Sequence, residues 1–565
     1  MTSSRLAVLA LVLVSATVHG SAPAALLPLT RAERSGFTQT SRYQEVVAFL
    51  DTLQQLSDDL RVETMAVSSE GRPVPLAVLG RPVPLSPAQA RLEDRPVVFI
   101  IANLHAGEVE GKEATLMLMR DMLLGDLASL LENQVVLIAP IYNPDGNERI
   151  SPSNRRSQHG PEGGVGVRHN GQNLDLNRDF IKLETPENQG LLANVLLRWD
   201  PVLVVDCHTT NGSPHRHPVT YAVPHNPNTH PEIVRYLRAE MLPQVTRRLK
   251  QTHGYDSVPY GNFVDLAAPE KGWESFGSEG RYSTNYIGLR NRFAILDENY
   301  AYADFATRVR ACRAFLECIL WYTAQHGRQM SIIVRAIDRG TTARGAARDS
   351  TWSLALRSQV QALPEPIEVL SYEFATVTEE PGRSRIRPTE RPRSYRVPYL
   401  GQYVPTSTVP FPAAYLFPSQ LQEVAAKLVQ HGIVVERLAQ SCTLTVQSYH
   451  VDKIEATPRP YQGHFLVTLA GSWQEQSKVF AAGDFFVDTA QPLAPLLAYL
   501  LEPESEDGLA TWNFFDRHLY ASQWSDRPAD FPVSRAVQRP RVARRVWQPS
   551  AGMEPPAETS EPAKR

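Results

Sequence analysis

Two histidines and two glutamates stand out because each follows directly on a short apolar run. His105 and Glu108 lie in Asn103-Leu104-His105-Ala106-Gly107-Glu108, after VVFIIA at 97–102. His208 lies in Asp206-Cys207-His208-Thr209-Thr210-Asn211-Gly212, after VLVV at 202–205, and Glu298 in Asp297-Glu298-Asn299-Tyr300, after FAIL at 293–296. Two imidazoles and one glutamate form a common catalytic zinc set that leaves a position open for water. A metal held this way lowers the pKa of bound water and polarises a carbonyl. A neighbouring carboxylate can then take the water's proton and pass it to a leaving amine. His105, Glu108 and His208 are therefore candidate zinc ligands, and Glu298 a candidate general base and acid. Singly each signal is weak. A His-x-x-Glu pair also arises as a polar helix start, and a buried histidine is usually just hydrogen-bonded.

The convergence of these motifs depends on the elements that carry them. The runs at 97–102, 135–141, 202–205 and 293–296 read as buried strands. Helical segments separate them, at 112–124, 187–198, 231–250 and 303–325. A further helical stretch at 41–58 and a hairpin at 62–79, turning at Glu70-Gly71-Arg72, precede them. Apolar strands alternating with amphipathic helices imply an α/β fold with a largely parallel sheet covered on both faces. In such a sheet ligands bind beyond the carboxyl ends of the strands. Residues a hundred positions apart then meet at one rim, and the strand ending at Ile141 brings Tyr142-Asn143-Pro144-Asp145-Gly146 to the same edge.

With these motifs in order, the sequence resembles the zinc carboxypeptidase family, the carboxypeptidase A-like metallopeptidases. The resemblance covers about Tyr43 to Gln325 and rests on HAGE (105–108), NPDG (143–146), NLDLNRDF (173–180), DCHTTNG (206–212) and ILDENY (295–300). It implies a mixed, largely parallel central sheet between helices and one zinc per chain on His105, Glu108 and His208, with Glu298 as base and acid. It also implies that Asn177 and Arg178 dock the substrate's terminal carboxylate, a role suited to the planar guanidinium fork. Asp175 is implied to orient the first zinc histidine. Arg168, nine residues before Asn177, is favoured over Arg155 and Arg156 as the oxyanion-stabilising arginine. Tyr282 or Tyr286, from GRYSTNYIGL, is implied as an active-site tyrosine, with Tyr282 preferred. The sequence departs from digestive members in lacking a recognisable pro-segment and in carrying a long C-terminal region.

The rest of the chain bounds these readings. It has 565 residues, 42% hydrophobic and 21% charged, with a formal net charge of -3. That is ordinary globular composition, and nothing in it calls for nucleic acid or an anionic membrane as partner. Arg5, the apolar run 6–14 and the small residues near 20–25 have the order of a signal segment. It is too short to span a bilayer. The expected organisation is a signal peptide at 1–24, a catalytic domain at 40–328, a Gly/Ala/Arg-rich linker at 329–350, a smaller mixed α/β domain at 351–531 and a disordered tail at 533–565. Within the C-terminal domain, 378–396 reads as a solvated Pro-rich loop, 420–431 as a helix stopped by Gly432, and 463–469 and 478–487 as strands. The four cysteines, Cys207, Cys312, Cys318 and Cys442, read as small buried residues, one long-range pair being left open. His215, His217, His225 and His230 read as a solvated loop lining the cleft, the alternative being a second metal site.

The leading expectation is a secreted or periplasmic zinc metallocarboxypeptidase acting on peptides or proteins, with no membrane span in the mature chain. The alternatives are a zinc amidase acting on cell-wall peptides or N-acyl amino acids, and a non-catalytic peptide-binding protein on the same fold.

Overall fold

The computed structural model describes residues 27–549, apart from 348, 350, 381–382, 521 and 523–526. The signal segment at 1–24 lies outside the described residues. The central sheet contains β1 (Leu60–Val67), β2 (Pro73–Leu79), β3 (Val97–Ala102), β4 (Val135–Ala139), β5 (Leu203–Thr210), β6 (Val219–Ala222) and β7 (Ser257–Pro259). After two short strands, β8 (Asn262–Phe263) and β9 (Trp273–Glu274), the last central strand is β10 (Phe293–Tyr300). The order is β1-β2-β4-β3-β5-β10-β6-β7. The inner strands β4, β3, β5 and β10 run parallel, whereas β1, β2 and β6 pair antiparallel to their inward neighbours, so the sheet is mixed. Every residue of β3, β4 and β5 is buried, and the apolar runs of β3, β4 and the first residues of β5 suit a doubly covered sheet.

Parallel pairing sets the rim. Ala102 of β3 pairs with Cys207 of β5, and His208 of β5 pairs with Glu298 of β10. Side chains alternate along a strand, so Asp206, His208 and Glu298 share one face while Cys207 and Asp297 share the other.

Helix Phe305–Ala347 corrects one expectation. The segment from 329, read as a linker, stays helical to Ala347. Met330, Val334, Ile337 and Thr341 recur at helical spacing and are buried, and the intervening Ala and Arg residues are good helix formers.

The C-terminal region is rich in sheet. Strands β11 (Ser353–Gln361), β12 (Ile367–Glu380), β13 (Arg383–Val397), β14 (Tyr399–Leu400) and β15 (Gln402–Pro410) come first. Then follow β16 (Ala414–Phe417), β17 (Glu436–Leu438), β18 (Cys442–Ala456), β19 (Val467–Phe480), β20 (Phe485–Asp488), β21 (Ser534–Ala536) and β22 (Arg544–Val546). A seven-stranded sheet, β19-β18-β21-β16-β20-β17-β22, is accompanied by helices Gln422–Gln430 and Ala494–Leu501. Residues 378–380 and 383–396, within the stretch read as a loop, belong to the β12–β13 ribbon. A two-stranded ribbon has unpaired outer edges, where Pro388 and Pro392 need not donate. Val369, Tyr395 and Val397 at its base bury against Phe263 and Trp273. The expectation of disorder from 533 also fails where the chain is described: β21 and β22 join the sheet, and Arg535 forms a buried ion pair with Glu502.

One apolar cluster joins the two halves. Leu176, Phe180, Ile181 and Tyr286 belong to the same core as Leu421, Leu428, Leu497, Tyr499 and Trp512. All four cysteines are free; Cys207, Cys312 and Cys318 are buried and Cys442 is partly so.

Candidate metal centre

A tight turn at the end of β3 carries the first two ligand candidates. Asn103 adopts the left-handed region at φ 60°, which Asn tolerates better than most residues. Its side-chain amide donates to the carbonyls of Ala106 and Glu108, at 3.3 and 3.2 Å. Gly107 is required by contact: a Cβ there would lie 2.9 Å from the Gly166 carbonyl. The turn thereby sets His105 and Glu108 on one side before helix Glu110–Leu124 begins.

The three donor groups converge. His208 Nδ1 lies 3.0 Å from His105 Nδ1 and 2.9 Å from Glu108 Oε2. His105 Nδ1 is 3.2 Å from Glu108 Oε1. All three residues are buried, and their ligand atoms lie within 4.8 Å of one another. The opposite ring nitrogens face carboxylates: His105 Nε2 is 3.0 Å from Asp175 Oδ1, and His208 Nε2 is 2.9 Å from Asp206 Oδ2. A carboxylate behind an imidazole keeps the proton on that nitrogen and turns the other lone pair forward. Two forward lone pairs and a carboxylate at such distances repel one another unless a cation lies among them. The donor set fits zinc, whose ligands are imidazole nitrogen and carboxylate oxygen.

The surrounding charges agree. Burial would raise the Glu108 carboxyl, but His105 and Arg155 hold it well below the usual range. Asp175 behaves likewise: burial is outweighed by His105 and Arg168. Glu298 differs. Desolvation, reinforced by the neighbouring Glu108 carboxylate, pushes it up to about 8. It lines the cavity in front of the candidate ligands, and its Oε2 is sealed from solvent with no hydrogen-bond partner among the described residues.

The cavity brings together most of the residues expected from sequence. His105, Glu108, Asn177, Arg178, His208, Tyr282 and Glu298 line it. Arg168 lines it too, its Nε donating to Asp175 Oδ2 at 2.7 Å. Its competitor Arg155 also faces the cavity and donates to Glu108 Oε1 at 3.0 Å, while Arg156 is not among the lining residues. Asn177 is occupied with protein: its Oδ1 accepts from the Ser283 amide at 2.8 Å, and its Nδ2 lies 3.4 Å from His208 Nε2. Arg178 lies over the Tyr282 ring, 4.5 Å from its centroid. Tyr286 is buried elsewhere, its hydroxyl 2.7 Å from His431 Nδ1, so it does not reach the cavity.

The later histidines correct the reading of a solvated loop. His215, His217 and His225 are buried. His215 stacks on Tyr300 at 3.8 Å, His217 Nε2 accepts from the Leu370 amide at 3.0 Å, and His225 Nε2 is 2.8 Å from Ser275 Oγ. Burial lowers the pKa of all three, so they are neutral packing groups. His230 instead caps helix Pro231–Tyr236, Nδ1 accepting from the Glu232 amide.

Several residues of the site carry little signal in the sequence. Asp206 behind His208 was signalled only by its position two before the histidine, on the same strand face. Tyr260 and Phe276 line the cavity without a motif. Tyr461 and Gln462, from the turn between β18 and β19, reach Arg178 and Asp175. No local pattern marks that contact.

Residues 46–244 match the family model described as zinc carboxypeptidase. The chain is 22% identical over 439 residues to carboxypeptidase 2 of Trichophyton equinum, covering 74% of this chain and 73% of that protein. A shorter match to carboxypeptidase Z of Mus musculus is 36% identical over 122 residues and covers 20% of this chain and 18% of that protein. Among solved structures, a metallo-carboxypeptidase from Burkholderia cenocepacia aligns over 50% of this chain and 70% of its own at 19% identity, with a TM-score of 0.37.

Proposed function

We propose, from the match of residues 46–244 to the zinc carboxypeptidase family model, that the protein is an exported metallocarboxypeptidase that removes C-terminal residues from peptides. The observation that carries the reading is the convergence of His105 Nδ1, Glu108 and His208 Nδ1 on one point, in a cavity shared with Glu298 and Arg178. His105, Glu108 and His208 would hold one zinc ion, with Asp175 and Asp206 fixing the imidazoles. Bound zinc supplies Lewis acidity toward water and a scissile carbonyl.

The remaining roles fall to the chain's own groups. Glu298, paired in register with His208, in its ionised form accepts a proton from the attacking water on a carboxylate oxygen and delivers it to the leaving amine nitrogen. Arg168, with Arg155 beside it, holds negative charge developing on the carbonyl oxygen. Arg178 receives the terminal carboxylate, with Asn177 bracing the wall between Ser283 and His208. Tyr282 supports the Arg178 guanidinium from below. Export rests on the N-terminal sequence pattern; no helix among the described residues is long and apolar enough to cross a membrane.

Glu298→Gln tests the assignment. The variant should retain zinc by elemental analysis while kcat falls by about 100- to 10,000-fold, the range for a positioned proton-transfer group. Full activity in a zinc-loaded variant would remove Glu298 from the mechanism.

A further inference from the structure

The C-terminal region contributes to the cavity wall through one turn. Strands β18 and β19 extend into a smaller hairpin whose tip is Gln462-Gly463. Tyr461 and His464 exchange both backbone hydrogen bonds across it, at 2.8 and 3.0 Å. Gln462 and Gly463 both have positive φ, 52° and 85°. That is the geometry of the two-residue turn that matches strand twist. Glycine adopts it freely, but glutamine does so at a cost.

The side chains at this tip all reach the catalytic half. Tyr461 Oη accepts from Arg178 Nε at 2.8 Å. Gln462 Oε1 accepts from the backbone amide of Asp175 at 2.7 Å. His464 Nε2 is 2.9 Å from Glu184 Oε1. Arg281, ion-paired to Asp507 at 2.8 Å, lies over the Tyr461 ring. The Arg178 guanidinium is thus fixed on three sides: Nε by Tyr461, Nη1 by the Asn177 carbonyl at 2.7 Å, and one face by Tyr282. A guanidinium held this way has little rotamer freedom left to lose when a carboxylate arrives.

We propose that Tyr461 is a positioning residue for substrate recognition, through which the C-terminal region orients Arg178 toward the terminal carboxylate. Gln462 does the same for the Asp175 segment behind His105. The inference rests on Arg178 as the carboxylate dock, and it makes the C-terminal region part of the binding site.

The test compares hippuryl-L-phenylalanine with its C-terminal amide, on zinc-loaded full-length protein, for wild type, Tyr461→Phe, Arg178→Ala and the double variant. Wild type should strongly prefer the free acid. Tyr461→Phe should raise KM for the acid about tenfold, the scale of one hydrogen bond to a charged group, with a smaller change in kcat. In the Arg178→Ala background the same substitution should have no further effect on KM, since the two act through one contact. If wild type does not distinguish acid from amide, the docking role of Arg178 fails, and this inference with it. If wild type distinguishes them but Tyr461→Phe leaves KM unchanged, or shifts it equally with and without Arg178, only the role of Tyr461 is overturned. The Phe variant keeps the ring against Arg281, so folding is preserved; matching thermal melts verify this.

Discussion

Strands β5 and β10 have two faces, and adjacent carboxyls on β10 meet opposite fates. Glu298 shares a face with His208 and looks into the cavity; Asp297 shares the other with Cys207 and is fully buried. Both carboxyls are raised, chiefly by desolvation, Glu298 to about 8 and Asp297 to about 7. Their partners differ. Asp297 Oδ2 accepts from the Cys312 thiol at 3.2 Å and lies 3.4 Å from Asn299 Nδ2, while Asp297 Oδ1 and Glu298 Oε2 both have no partner among the described residues. A raised carboxyl is therefore no mark of catalysis by itself. What separates the two is the single-residue alternation of a strand, which gives one an open cavity beside the candidate zinc ligands and the other a thiol in the core.

The largest expected effect breaks this symmetry directly. Glu298→Gln should cost kcat about 100- to 10,000-fold, whereas Asp297→Asn, a neutral isostere of the protonated acid, should leave kcat within about tenfold. Steady-state assays on zinc-loaded variants with matched metal content would show it. Equal losses would mean that both faces serve the reaction.

Next in size are the carboxylates behind the candidate ligands. Asp175→Asn and Asp206→Asn should each weaken zinc binding by about 10- to 100-fold, as loss of an imidazole's orienting partner does. Competition with a chromogenic chelator measures this. Asp297→Asn should leave zinc affinity near wild type, because its side chain points to the opposite face.

The smallest effect concerns stability and pH. Burial holds the Asp297 proton up to about 7, whereas the unfolded chain gives it up near 3.9. Unfolding between those values therefore releases a proton. The contribution of Asp297 to stability is full below about pH 4, falls as pH rises and is lost by about pH 7. Asp297→Asn lacks this loss, so its Tm should fall less than that of wild type between pH 4.5 and pH 7. Parallel pH profiles for the two proteins would show that Asp297 is ionised throughout in the fold.

How far the sequence reveals this molecule depends on how local each determinant is. The candidate ligands His105, Glu108 and His208 and the proposed base Glu298 were legible because they follow apolar runs that read as strands, and open sheets gather strand ends at one rim. The hairpin at β1 and β2 was legible from its Glu70-Gly71-Arg72 turn. The helix beyond residue 329 was hidden, because glycines and arginines at 339–345 resemble a linker until the buried stripe from Met330 to Thr341 is traced. The β12–β13 ribbon was hidden by its charge and prolines, which a two-stranded ribbon with open edges tolerates. Tyr461 was beyond reach for a different reason. Its contact with Arg178 spans 283 positions and depends on how the two halves share one core.

The central claim is that this cavity binds a terminal carboxylate and cleaves the preceding peptide bond with zinc. Mass spectrometry of one synthetic peptide, offered with a free and with an amidated C-terminus to the zinc-loaded protein, tests it most directly. The expected result is stepwise loss of single residues from the free C-terminus, abolished by a chelator and restored by zinc, with the amidated peptide intact. Equal trimming of the amidated peptide, cleavage within the chain, or undiminished activity after the zinc is removed would contradict it.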